Sequence, residues 1–357
     1  MQMTTPSAMF DPRALVGVEL RGGWRIDTLV ERNAEQTGGN FSIGYLGSDE
    51  NGRRGFIKVI NYYKALFSVD PTLVLQEITE GYNFERDLVE RCGLKKLSRV
   101  VAAFEHDSIR VPGQIFPVSY IIFELADHDV RRALDLDRAI DLTAKLRLAH
   151  NATAGAAQLH GIGVAHQDIK PSNLLVFPSE RSRDRSSKLT DLGRASDQST
   201  PARHDSYVIA GDPTYAPPEQ LYGVVKDSFE ERRLACDVYQ TGNLIAYILT
   251  GSTVNARIHA FLDPQHSPNN WGGSYDEVLA YVQAAHSAAI YEINAELAGP
   301  LGLSISKLIQ QLTDPDIGRR GHPRSVGAKE RFALNRVVTD LDLLSRRSAV
   351  LAVRDAQ

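Results

Sequence analysis

The sequence predicts an α+β fold in two lobes: a small antiparallel β-sheet lobe plus one helix, then a larger, mostly α-helical lobe. Three observations predict it. From Trp24 to about Phe123, short runs of β-branched and aromatic residues alternate with Gly- and Asn-containing turns, the pattern of strands joined by hairpins. After Leu125 the period changes, and long segments place apolar residues at helical spacing. With 357 residues, 43% hydrophobic and 24% charged, the chain has enough apolar material for a core in each lobe.

Residues 1–22 read as an N-terminal extension, 23–124 as the small lobe, 125–330 as the large lobe and 331–357 as a C-terminal helix packed on it. The strand candidates are "GWRIDTLVER", "FSIGYLG", "RGFIKVINYY", "SRVVAAFEHD" and "VSYIIFEL". The clusters "EQTGGN" and "SDENGRRG" read as hairpin turns, because Gly and Asn accept positive φ. One helix interrupts the strands, from about Thr72 to Cys92. Helical spacing then recurs over Ala139–His160, Arg232–Leu249, Tyr275–Ile293 and Ile305–Leu312. In the last segment Phe332, Val337, Val338, Leu341 and Leu344 form one apolar face. The polar patch "SERSRDRSSK" reads as a solvated hairpin tip.

A net charge of −4 gives no global field toward nucleic acid or an anionic membrane, so neither is an expected partner. Two distant cysteines, Cys92 and Cys236, lack metal-site spacing and read as small buried apolar residues. The first residues carry no basic stretch followed by an apolar one, and no apolar run reaches membrane-spanning length, so a cytoplasmic protein is expected.

Chemistry concentrates in "VAHQDIKPSNLLVF". Asp168 and Lys170 lie two apart in extended chain and so face the same side, and Asn173 follows just before an apolar strand. A second carboxylate, Asp191, ends the next short strand in "SKLTDLGRAS", with Gly193 freeing the backbone after it. Asp168, Asn173 and Asp191 make an oxygen-rich set suited to Mg²⁺, which binds hard ligands together with substrate phosphates.

At these residues the sequence resembles the protein kinase family, in its bacterial serine/threonine-directed form. The resemblance rests on His-x-Asp-x-Lys-Pro-x-Asn, then Asp-x-Gly, then "GDPTYAPPEQ", then "ACDVYQTGNLIAYILTG", in register from about Gly23 to Ser325. It implies a kinase-like bilobal fold, ATP and Mg²⁺ as cofactors, and a protein substrate with a Ser or Thr hydroxyl. Asp168 would accept or orient the substrate's hydroxyl proton, Lys170 would neutralise the γ-phosphate, and Asn173 and Asp191 would hold the metal. His166 would pack and hydrogen-bond without acting as acid or base.

In the small lobe "GFIKVI" matches the strand whose lysine, here Lys58, grips the α- and β-phosphates. Its partner is expected on the lone helix among Glu77, Glu80, Glu85 and Glu90. Tyr82, Leu88 and Val89 put Glu85 on an apolar face, where a carboxylate needs a cation, so Glu85 is chosen. Phe123 would be the gatekeeper, with Glu124 to Ala126 as the hinge facing adenine. Glu219 would pair with Arg319 or Arg320, and Asp237 would brace the catalytic loop.

The sequence departs from the family in three places. Aligning Phe41 with the aromatic tip of the phosphate loop leaves Thr37, Gly39 and Ser42 where three glycines are expected, with Gly38 adding freedom. Where the family has a valine and an alanine over the adenine, Gly44 and Phe56 stand here. Either Phe56 fills the volume vacated at Gly44 and lies against the purine, or it plugs the site. Gln167 replaces the arginine that in many members receives a phosphate on the activation segment, here Asp191 to Glu219. A switch acting through residue 167 is therefore not expected.

The expected function is an active serine/threonine protein kinase that works without that switch. The competing functions are a pseudokinase acting as a nucleotide-binding or interaction scaffold, and a small-molecule phosphotransferase on a related fold. The "GDPTYAPPEQ" segment opposes the latter. With no sensor domain in sight, a separate regulatory protein is an expected partner.

Overall fold

In this computed structural model the described residues are 13–31, 41–136, 140–178, 186–297, 299–328 and 330–355. They form two compact units: the first runs to Lys96 and resumes over Val101–Ala126, and the second holds Leu97–Val100 and everything from Asp127.

The first unit is built on five antiparallel strands in the order β1-β2-β3-β5-β4. These are β1 (Arg25–Leu29), β2 (Ser42–Ser48), β3 (Arg54–Ile60), β4 (Ala103–Ile109) and β5 (Val118–Glu124). Alternation divides the sheet into two faces. Ile43, Tyr45, Ile57, Val59, Tyr120 and Ile122 turn to one side and join Trp24 and Ile26 in a core. Gly44, Leu46, Phe56 and Lys58 share the other face and are half-buried. A short helix α1 (Tyr63–Leu66) precedes α2 (Pro71–Leu94), so the unit carries one long helix and one single turn. Asp70 caps α2 by accepting the Leu73 N–H at 2.9 Å, with Pro71 at the first helical position. Its buried face is Ile78, Tyr82, Glu85, Leu88, Val89 and Cys92, which places a carboxylate among apolar side chains.

The second unit is mostly helical, the architecture expected from the sequence. After the two-residue strand β6 (His128–Asp129) come α3 (Val130–Leu136) and α4 (Leu142–His160). Two small sheets follow: β7 (Val164–Ala165) pairs with β10 (Ser196–Asp197), while β8 (Leu174–Phe177) lies between β6 and β9 (Ser186–Leu189). Then come α5 (Pro218–Leu221), α6 (Ala235–Thr250), α7 (Val254–Phe261), α8 (Tyr275–Glu296), α9 (Gly302–Leu312), α10 (Pro323–Val326) and α11 (Asn335–Asp355). Helix α6 is buried almost throughout and touches α4, α7 and α9, so it is the spine of the unit. Helix α11 packs on α4, with Val337 and Leu341 fully buried.

Element ends moved where local chemistry outweighs periodicity. The apolar pattern begins α4 at Ala139, yet Asp141 accepts the Ala144 N–H at 2.7 Å and starts the helix at Leu142. The pattern begins α6 at Arg232, but Glu230–Leu234 form a wider π-helical turn. Cys92 and Cys236 are both buried and unpaired, and burial pushes the Cys92 thiol up to about 11. Among the described residues no helix is long and apolar enough to cross a membrane.

Candidate active site

The loop after β7 is held from below by one carboxylate. Asp237, fully buried on α6, accepts the backbone N–H of His166 at 2.6 Å and of Gln167 at 2.8 Å. One turn on, Gln240 accepts from the Ile169 N–H at 2.9 Å and donates to the Gln167 carbonyl at 2.9 Å. Two side chains on one helix face therefore fix the backbone of His166, Gln167 and Ile169. Gln167 takes a left-handed conformation, φ 65°, where a non-glycine residue needs such bracing. The His166 ring donates from Nε2 to the Thr190 carbonyl at 3.0 Å and accepts the Asp168 N–H on Nδ1 at 3.3 Å. Both contacts select one neutral tautomer, which leaves this buried ring a structural part.

Asp168 projects from this frame with every oxygen engaged. Its Oδ1 accepts the Asp212 N–H at 2.9 Å, and its Oδ2 accepts from Asn173 Nδ2 at 3.0 Å and Lys170 Nζ at 2.9 Å. Lys170 also faces the Asp212 carboxylate at 3.5 Å. Gly211 permits the approach: a Cβ there would lie 2.2 Å from the Gln167 carbonyl and 2.8 Å from Asp168 Oδ1.

Strand register brings Asn173 to Asp191. Leu174 opposes Leu189 in the β8–β9 pair, and the Thr190 N–H donates to the Asn173 carbonyl at 3.0 Å, so Asp191 is the next residue along. Asp191 itself is left-handed, φ 63°. Both hydrogen bonds from Asn173 Nδ2 go to Asp168, so Oδ1 is the amide atom that could take a metal. One amide oxygen and one carboxylate fit Mg²⁺, a hard cation that fills its shell with phosphate oxygens and water. The described residues contain no cluster of three or more His, Cys, Asp or Glu that could hold a metal ion.

In the first unit Lys58 Nζ lies 2.7 and 2.8 Å from the two Glu85 oxygens. Glu80 instead takes a hydrogen bond from Gln76 at 2.7 Å on the exposed side of the same helix. Phe41 is 42% exposed, with the Lys64 ammonium 5.6 Å from its ring centre. Gly38 and Gly39 lie outside the described residues. The Glu124 side chain turns back to accept the Ala102 N–H at 2.7 Å. Across the sheet Phe56 pairs in register with Phe123 and with Leu46. A Cβ on Gly44 would lie 2.8 Å from Phe56 Cζ. The ring thus occupies the volume a side chain at 44 would take, as the exchange requires.

On the expectation that the chain binds ATP, Phe56→Ala should weaken that binding about tenfold, the loss of one aromatic–base stack. Gly44→Val alone should also weaken it, while Gly44→Val with Phe56→Ala recovers affinity. Calorimetric titration decides; tighter binding by Phe56→Ala would make the ring a plug.

The protein kinase domain model matches residues 39–291. This chain belongs to the protein kinase domain family. It is 31% identical over 128 residues to the serine/threonine-protein kinase PkaB of Streptomyces coelicolor, covering 35% of this chain and 29% of that protein. It is 27% identical over 235 residues to PknA of Mycobacterium tuberculosis, covering 64% and 46% of the two. PknL of the same organism is 30% identical over 135 residues, 38% and 31%. The chain spans less than half the length of each of these relatives.

Sequence reasoning missed several partners that lie far apart in the chain. His160 donates from Nε2 to Asp237 at 2.9 Å. Gln240 carries a signal that was available, its i+3 spacing from Asp237. Asp212, Asp205 and Arg233 carry none. Of the two candidate partners of Glu219, Arg320 makes a bidentate pair at 2.7 Å per bond, whereas Arg319 is exposed and faces Asp314 at 3.4 Å.

Proposed function

We propose that this protein is an ATP- and Mg²⁺-dependent serine/threonine protein kinase. The observation that carries the reading is the buried Asp168 carboxylate, gripped by Lys170, Asn173 and the Asp212 N–H at hydrogen-bond distance. A scaffold that only binds partners has no use for so many donors on one acid.

In the proposed reaction the hydroxyl oxygen of a Ser or Thr side chain attacks the γ-phosphorus of ATP. Asp168 orients that hydroxyl and takes its proton; the bond to the β–γ bridging oxygen breaks, and ADP leaves. Lys170 offsets charge on the transferring group. Lys58, aimed by Glu85, holds the α- and β-phosphates, Phe41 with Gly38 and Gly39 covers them, and the Glu124–Ala126 backbone receives the adenine under Phe56. Asn173 and Asp191 would hold Mg²⁺, which supplies charge neutralisation at the phosphates when bound. Because the transition state is loose, positioning and charge compensation supply most of the rate.

The test is transfer of labelled γ-phosphate to the protein itself or to a generic protein substrate with Mg²⁺ present. Asp191→Ala and Asp168→Ala are each expected to abolish labelling. Label that persists in both variants would rule out this assignment.

A further inference from the structure

We propose that Arg233, Gln167 and Asp205 hold the segment from Asp191 to Glu219 in its working shape without phosphorylation, the Asp205 carboxylate serving as a permanent anion. The inference rests on the kinase reading for its consequence in turnover, but its geometry stands alone.

The cation missing at position 167 is present at position 233. Arg233 is 3% exposed, and its Nη1 donates to Gln167 Oε1 at 3.1 Å. Its Nη2 donates to the Asp205 carbonyl at 2.8 Å and lies 3.5 Å from the Asp205 carboxylate. Gln167 answers by donating Nε2 to the Arg233 carbonyl at 2.8 Å and to Asp237 at 3.1 Å. A continuous path thus runs from the acid that braces the catalytic loop to the segment. A glutamine is what this path requires, because an amide both accepts and donates. An arginine at 167 has five donors and no acceptor, and it would set a second cation against Arg233.

The anion is equally committed. Asp205 accepts the Ser196 hydroxyl and the Ala202 N–H, each at 2.6 Å. Ser196 is itself buried, so its hydroxyl is spoken for, and a phosphate there would oppose the carboxylate. A buried guanidinium needs a counter-charge, and Asp205 provides it within the chain. Arg232 adds a second tie, from Nη2 to the carbonyls of Asp205 at 2.7 Å and Tyr207 at 3.2 Å. Consecutive residues on a regular helix diverge, and it is in the π-helical turn Glu230–Leu234 that these two converge on one carbonyl.

The test uses the full chain freed of phosphate by a phosphatase, with intact mass as the check. Amides of the segment should be protected from hydrogen exchange in this form. Asp205→Asn should lower that protection about tenfold and raise the protein-substrate KM about tenfold, the size of one charge-assisted hydrogen bond, with the ATP KM unmoved. Asp205→Glu should recover part of both. Gln167→Arg should lose protection and activity. If Asp205→Asn does not fold, Gln167→Arg carries the same comparison. The proposal is overturned if Asp205→Asn keeps full protection, if wild type gains protection only on phosphorylation, or if Gln167→Arg is more active. Absence of any phosphate transfer by wild type would refute the kinase reading, while the exchange result still decides this one.

Discussion

Asp168→Asn is expected to lower the turnover of phosphate transfer about 10²–10⁴-fold, the range for removing a positioned general base. Nucleotide affinity should stay within about twofold, since the proposed adenine and phosphate contacts lie on other residues. The geometry makes the substitution harsher than its size implies. Three N–H donors converge on the carboxylate: the Asp212 backbone on Oδ1, and Lys170 and Asn173 on Oδ2. An amide keeps one acceptor oxygen and adds two donors, so either flip sets N–H against N–H. Lys170 then keeps only Asp212 of its two carboxylates, at 3.5 Å, and drifts from the place it needs beside the γ-phosphate. Steady-state kinetics with a protein substrate, alongside ATP titration, separates the two quantities. Turnover reduced by less than about tenfold would remove Asp168 from the chemistry and return the scaffold reading.

What the sequence shows of this site follows from how each residue is placed. Asp168, Lys170 and Asn173 lie within six residues of one loop, so local spacing alone puts them together. Glu85 was legible at longer range because a helix face displays its own periodicity, and a carboxylate on an apolar face demands a cation. The two-lobed α+β architecture was legible for the same reason: strand alternation and helical spacing are written locally. Arg233 and Asp205 had no such mark. Arg233 meets Gln167 across 66 residues and Asp205 across 28. His160 reaches Asp237 across 77. Neither periodicity nor motif encodes those separations. The π-helical turn was hidden too, since its five residues are too few to display a period of their own. The single-turn helix α1 was missed because four residues are too few to display a period.

Arg320→Ala is expected to cost about 3–5 kcal/mol of folding stability, whereas Arg319→Ala next to it should cost less than about 1 kcal/mol. Both residues are arginines facing an acid, so the difference is environment. Arg320 is fully buried, makes two 2.7 Å bonds to Glu219, donates from Nε to the Asp314 carbonyl at 3.0 Å and lies over the Tyr239 ring. Burial opposes its charge, but the Glu219 carboxylate outweighs burial and holds the guanidinium above its usual range. Removing it strands Glu219, which is 3% exposed, as an unpaired buried charge at the end of the segment that carries Asp205 and Asp212. Arg319 is 68% exposed, and water replaces what it loses. Urea midpoints compare the variants directly. Arg320→Met with Glu219→Leu removes both charges and should regain part of the loss. It cannot regain all of it, because the Asp314 carbonyl, and the Ala235 carbonyl at 3.3 Å, then lack the donor that Arg320 gave them. Equal midpoints for Arg319→Ala and Arg320→Ala would mean that the buried pair does not anchor the segment's end.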